Sequence, residues 1–87
     1  MKANKVSGWD TCINPGDWFF ANEHKAILFM CPSGCGQMRS VPIGPLDNHP
    51  YWIWNGNEDL PTLTPSIQVV LECKWHGFLT NGEWVNA

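Results

Sequence analysis

Lys25-Ala26-Ile27-Leu28-Phe29-Met30-Cys31-Pro32-Ser33-Gly34-Cys35-Gly36-Gln37-Met38-Arg39-Ser40-Val41-Pro42-Ile43 is the stretch that decides the fold. Its first six residues are a mostly apolar run closed by Cys-Pro, which suits a buried strand. Gln37 to Ile43 alternates roughly, with Met38, Val41 and Ile43 apolar. Pro42 assigns that segment to a sheet edge or strand end, because proline cannot donate to a ladder. The Pro- and Gly-framed residues 31–36 lie between the two segments and read as a tight turn. The stretch is thus expected to be a hairpin with two cysteines in its turn.

The same punctuation continues outward. Eight glycines and seven prolines in 87 residues cut the chain into segments too brief for an ordinary helix. Tyr51-Trp52-Ile53-Trp54 reads as a short aromatic strand stopped by Asn55-Gly56-Asn57. Ser66 to Cys73 has a period of two, placing Ile67, Val69, Leu71 and Cys73 on one face, with Val70 as the exception. Phe78-Leu79-Thr80 and Glu83-Trp84-Val85 flank Asn81-Gly82, whose residues both tolerate the positive φ of a type I′ hairpin turn. Residues 11–22 read as a turn at Asn14-Pro15-Gly16-Asp17 followed by a strand. The expectation is a mainly β protein, a small single domain over residues 1–87. It is built of short antiparallel strands and hairpins around a zinc-ribbon-like or Rieske-like metal site.

Composition narrows the function. A chain of this length buries only about 60–65% of its unfolded surface, so it needs a staple such as a metal, disulfides or a partner. Hydrophobic residues make up 44% and charged residues 15%, which indicates a folded protein. Five Lys and Arg against eight Asp and Glu argue against capture of nucleic acid or an anionic membrane, which would need a basic groove or patch. The N-terminus has two lysines but no apolar stretch behind them, so it does not read as a signal peptide. The longest apolar run is far too short to span a bilayer. The expected compartment is the cytoplasm, where cysteines serve metals or chemistry more often than disulfides.

Two clusters then point to a metal. Cys31 and Cys35 are separated by three residues and framed by Pro32, Gly34 and Gly36, a longer variant of a zinc knuckle. Cys73 and His76 follow, with two residues between them. Cys31, Cys35, Cys73 and His76 together make the four-ligand set of a closed structural zinc site. Lys74 would offset part of the thiolate charge. Cys12 lacks a paired ligand and reads as a buried apolar residue, with a place in an all-cysteine site as its alternative. His24 and His49 lie beside charged or turn residues and read as exposed histidines.

Two competing chemistries share these residues. Cys73-Lys74-Trp75-His76-Gly77 looks like the second half of a Rieske 2Fe-2S motif, but the first half would need Cys-x-His, and Cys31 and Cys35 have no His nearby. A small metal-dependent hydrolase would need an open coordination position. Cys73 and His76, if unligated, could pair as nucleophile and base, and Glu58, Asp59 or Glu72 could act as a base. Charged residues flanking turns are usually only solvated, so no catalytic residue is assigned.

Cys31-Pro32-x-Gly34-Cys35, Trp52-x-Trp54-Asn55-Gly56, Leu60-Pro61-Thr62-Leu63-Thr64-Pro65-Ser66-Ile67 and Cys73-x-Trp75-His76-Gly77, leading into Asn81-Gly82, also carry a resemblance. Over residues 26–85 the chain resembles a family of small, largely uncharacterised phage and bacterial proteins. These are predicted metal binders, sometimes labelled ammonia monooxygenase, and some sit beside ubiquitin-like conjugation components. The resemblance implies a metal site at Cys31, Cys35, Cys73 and His76 but supplies no activity. The oxygenase label would require an open redox-metal constellation, which the sequence does not offer.

Six tryptophans, one tyrosine and four phenylalanines exceed what a thin core easily encloses. Side chains alternate along a strand, so Trp52 and Trp54 share one face and Tyr51 and Ile53 the other. Trp52, Trp54 and Tyr51 are therefore candidate anchors for a protein partner. The expected role is that of a zinc-binding accessory protein acting through such a partner.

Overall fold

The computed structural model describes residues 1–70 and 73–87. Among the described residues, eight strands form two four-stranded sheets. The first sheet has the order β1 (Asn4–Lys5), β2 (Asp17–Ala21), β3 (Ala26–Met30) and β4 (Met38–Pro42). The second has the order β5 (Ile53–Trp54), β6 (Leu63–Gln68), β7 (His76–Thr80) and β8 (Glu83–Asn86). No helix among the described residues is long and apolar enough to cross a membrane.

The 25–43 hairpin forms as expected, with Ile27 opposite Val41, Phe29 opposite Arg39 and Met30 opposite Met38. Pro42 ends β4, where a missing N–H does least harm to the ladder. The Asn81-Gly82 turn has φ of 47° and 77° and closes the β7–β8 hairpin with Thr80 opposite Glu83. Two details depart from expectation. β1 pairs with β2 in parallel. β6 begins at Leu63 and ends at Gln68, so it starts three residues before Ser66. Leu71 and Glu72 lie outside the described residues.

The two sheets share one core, which explains the aromatic surplus. Trp18, Ile27, Phe29, Cys31 and Val41 from the first half meet Leu63, Ile67, Trp75, Leu79 and Trp84 from the second. Phe29 packs against Trp84 with ring centroids 4.7 Å apart, and Trp75 stands edge-on to Trp84 at 5.9 Å. The buried Trp84 Nε1 donates to the Gly16 carbonyl at 2.9 Å, so this large ring is enclosed without an orphaned donor. The far face of the first sheet buries Cys12, Phe19, Ala21 and Leu28, and Trp9 lies edge-on to Phe19.

The expected strand 51–54 has the predicted alternation, but its tryptophans point inward. Trp54 packs edge-on to Trp18 at 5.9 Å and against Phe20 at 5.2 Å. The Trp52 Nε1 donates to the Ser66 carbonyl at 3.3 Å. Both rings are half-buried against the core, and Tyr51 and Ile53 are the exposed pair. Of the three candidate partner anchors, Trp52 and Trp54 thus rest half-buried against the core and Tyr51 is exposed.

Candidate functional site

The turn at 31–36 gathers the thiols. Cys31 N donates to the Gln37 carbonyl and Gly34 N to the Cys31 carbonyl, closing the loop at the end of the hairpin. Gly34 and Gly36 adopt φ of 82° and 81°, and nothing lies within 4 Å of where a Cβ would stand. Backbone conformation, not crowding, selects glycine there. The Ser33 Oγ lies 3.1 Å from Cys31 Sγ and accepts from Cys35 N. Cys73 arrives from the other sheet just ahead of β7, and its Sγ lies 3.6 Å from that of Cys31. The Cys31, Cys35 and Cys73 sulfurs all lie within 4.8 Å of one another.

This spacing fits a metal. Tetrahedral thiolates about 2.3 Å from zinc would lie roughly 3.8 Å apart. Arg39, on β4 beside the cluster, donates through Nη2 to Cys73 Sγ at 3.4 Å and to Cys35 Sγ at 3.6 Å. Three thiolates around a divalent cation leave one excess negative charge, which the guanidinium neutralises. Arg39 thus fills the role expected of Lys74, which is exposed.

The electrostatics favour thiolates at two of the three positions. The Ser33 hydroxyl is the main cause holding the Cys73 thiol down to about 6, against partial burial and with help from the Trp75 backbone and the other two cysteines. Cys35 is lowered first by Ser33 and then by the Gln37 backbone. Burial pushes Cys31 upward, opposed by Ser33 and Arg39. Loss of hydration would lower Arg39, but its bonds to the cysteines hold it above its usual value. Metal ligation takes up the thiolate form and releases the thiol protons to solvent, so lowered thiol pKa values favour binding.

His76, the expected fourth ligand, is not part of this group. It opens β7 on the exposed side of the second sheet, and its Nε2 lies 3.1 Å from Ser66 Oγ. The separation arises from strand pleating. Cys73 precedes the strand and reaches the buried edge of the core, whereas His76 alternates outward between buried Trp75 and Gly77. A bulge brings Ser66 to it. Leu63 pairs with Leu79 and Ile67 with Gly77, so Thr64, Pro65 and Ser66 stand opposite Phe78 alone. Bulges of this kind re-aim side chains and are common beside active sites. Ser66 and Gln68 share one face, and Gln68 pairs with His76, which sets Ser66 and His76 as diagonal neighbours.

A serine hydroxyl at hydrogen-bond distance from an imidazole is the geometry of a nucleophile and its base. Sequence reasoning paired His76 with Cys73 because Cys-x-x-His is a ligand spacing. Ser66 carries no comparable signal, since its partner is ten residues away across a bulge.

The remaining candidates lie elsewhere. Cys12 is buried on the far face of the first sheet and donates to the Asp17 carbonyl at 3.4 Å. His24 is exposed, and His49 is exposed with its Nδ1 at the Pro50 carbonyl. Glu58 pairs with Lys5 at 3.0 Å, and Asp59 is exposed.

The family described as "Bacterial ubiquitination-like system serine protease (BubE)" has a model that matches residues 5–87. No curated protein and no solved structure matches the chain.

Proposed function

Because the chain belongs to this bacterial ubiquitination-like system family, we propose that it is a serine protease. Ser66 is the nucleophile and His76 the general base; Cys31, Cys35 and Cys73 would hold a zinc ion away from the hydroxyl, with a fourth coordination position left to water. The observation that carries this reading is the 3.1 Å separation of Ser66 Oγ and His76 Nε2 on an exposed sheet face. The family's description as a serine protease supports the reaction class.

In this mechanism the neutral imidazole keeps its proton on Nδ1, and Nε2 accepts the Ser66 hydroxyl proton as Oγ attacks the scissile carbonyl carbon. Collapse of the tetrahedral intermediate expels the amine, which takes that proton from Nε2. Water, activated by the same nitrogen, then releases the acyl group and restores the hydroxyl. The His76 ring lies tilted beside Phe78, with centroids 6.4 Å apart, and the His76 carbonyl accepts from Ala87 N. The backbone bond fixes the strand that carries His76, and Phe78 flanks its ring. When bound, zinc supplies a cross-link between the thiolates, with no role at the hydroxyl.

The partner expected from the sequence becomes, in this reading, a polypeptide substrate. A Rieske cluster is disfavoured, because it needs two histidine ligands and the group gathered among the described residues holds cysteines alone, with His76 at Ser66.

The test is peptide hydrolysis by wild type, Ser66→Ala and His76→Ala at equal metal content. Each variant is expected to lose at least about 10³-fold in kcat. A Ser66→Ala protein with wild-type turnover contradicts the assignment.

A further inference from the structure

We propose that Phe78 and Val85 form a subsite that seats a large apolar side chain of an extended polypeptide beside Ser66. The inference rests on the Ser66–His76 reading and adds the class of substrate to it.

Sheet register puts the pieces in one row. Counting back from Ile67 opposite Gly77 sets Ser66 across from Phe78, and Phe78 is paired with Val85 on the next strand. Alternation turns all three side chains to the outer face, opposite the core-facing Ile67, Leu79 and Trp84. Phe78 remains 41% exposed and Val85 47%, although both sit in the middle of regular strands. Cross-strand neighbours stand about 5 Å apart at Cβ, so the two make one continuous apolar surface. That surface continues to the base, since Phe78 lies beside the His76 ring.

Charge on this face favours an apolar occupant over a charged one. The other outward residues of the central strands, Thr64, Gln68 and Thr80, are uncharged. Glu83, next to Val85 on the same face, is engaged by the N-terminal amine at 3.6 Å. An extended substrate presenting its carbonyl to Ser66 Oγ would carry a neighbouring side chain over Phe78. Burying that side chain removes apolar surface from water on both partners.

The experiment separates recognition from catalysis. Labelled peptides that differ only in leucine or serine next to the intended scissile bond are titrated against the Ser66→Ala protein and followed by fluorescence anisotropy. The leucine peptide is expected to bind roughly 10- to 100-fold more tightly. That preference should vanish in Ser66→Ala with Phe78→Ser or Val85→Ser and persist with Phe78→Leu. The same peptide pair is then given to the Ser66-containing protein, where kcat/KM should follow the same order. Equal binding of both peptides, or a preference surviving both serine substitutions, overturns the subsite. Self-association in sedimentation that Phe78→Ser and Val85→Ser each abolish also overturns it. Selective binding without any hydrolysis by the Ser66-containing protein would instead overturn the catalytic reading and leave the recognition surface standing.

Discussion

Arg39 illustrates how much a single side chain decides at the cysteine cluster. Its guanidinium reaches both Cys35 and Cys73 and supplies the positive charge that three thiolates and a divalent ion lack. Arg39→Met keeps most of the volume and removes the charge and both hydrogen bonds. It should weaken metal affinity by about 10- to 100-fold, as loss of an outer-sphere partner commonly does. Competition with a chromophoric chelator measures this, and an unchanged affinity would contradict the role given to Arg39. Cys31 and Cys35 stood out in the sequence because Pro32, Gly34 and Gly36 frame a knuckle-like turn, and Cys73 through its Cys-x-x-His spacing with His76. His76, expected as the fourth ligand, lies at Ser66 instead of with the thiols. Spacing alone gives the reach of His76, while the side of the sheet to which it points depends on where the strand begins. Ser66 was invisible for a related reason: a serine after proline has many uses, and only the register of β6 on β7 gives it a histidine.

The elements of the second sheet hold that pair in place. Gly77 sits between His76 and Phe78 on β7, and a Cβ there would collide with the Val85 carbonyl and the Trp75 ring. Backbone and a buried indole have little freedom to yield, so Gly77→Ala should destabilise the protein by about 1–3 kcal/mol. A urea titration would show a lowered midpoint, and an unchanged midpoint would mean the strands can separate at no cost. The hairpins at 25–43 and 78–85 were readable because alternation and turn chemistry agree along each of them. The start of β6 was not, because Pro61 and Pro65 in the segment argue against a strand. The bulge of Thr64, Pro65 and Ser66 opposite Phe78 is the means by which proline is accommodated. The parallel β1–β2 pair was equally hidden, since two polar residues, Asn4 and Lys5, carry no strand signal of their own.

At the scale of the molecule, the thiolate cluster joins the two sheets. Cys31 follows β3 in the first and Cys73 precedes β7 in the second, with their sulfurs 3.6 Å apart. A metal there would cross-link the halves of a chain too short to be stable by burial alone. Chelation should therefore lower the melting temperature by at least about 10 °C, given that roughly 1 kcal/mol moves Tm by 4–8 °C in a domain this small. Circular dichroism with and without chelator reads the shift, and an unchanged Tm would remove the metal from the stability of the fold. Hydrolysis should fall in parallel, because Cys73 lies three residues before His76. The tryptophan content that looked like a binding surface is largely interior: Trp18, Trp75 and Trp84 are buried. In so small a protein large rings replace the missing chain, and the sequence shows their number but not their direction.

The most direct measurement is covalent labelling with a fluorophosphonate, followed by peptide mapping in a mass spectrometer. Such a probe reacts with a serine whose hydroxyl has been activated by a neighbouring base. The account predicts one adduct on the folded protein, located on Ser66 and abolished by His76→Ala. Adducts on another serine, or none on a folded, metal-loaded protein, would contradict it.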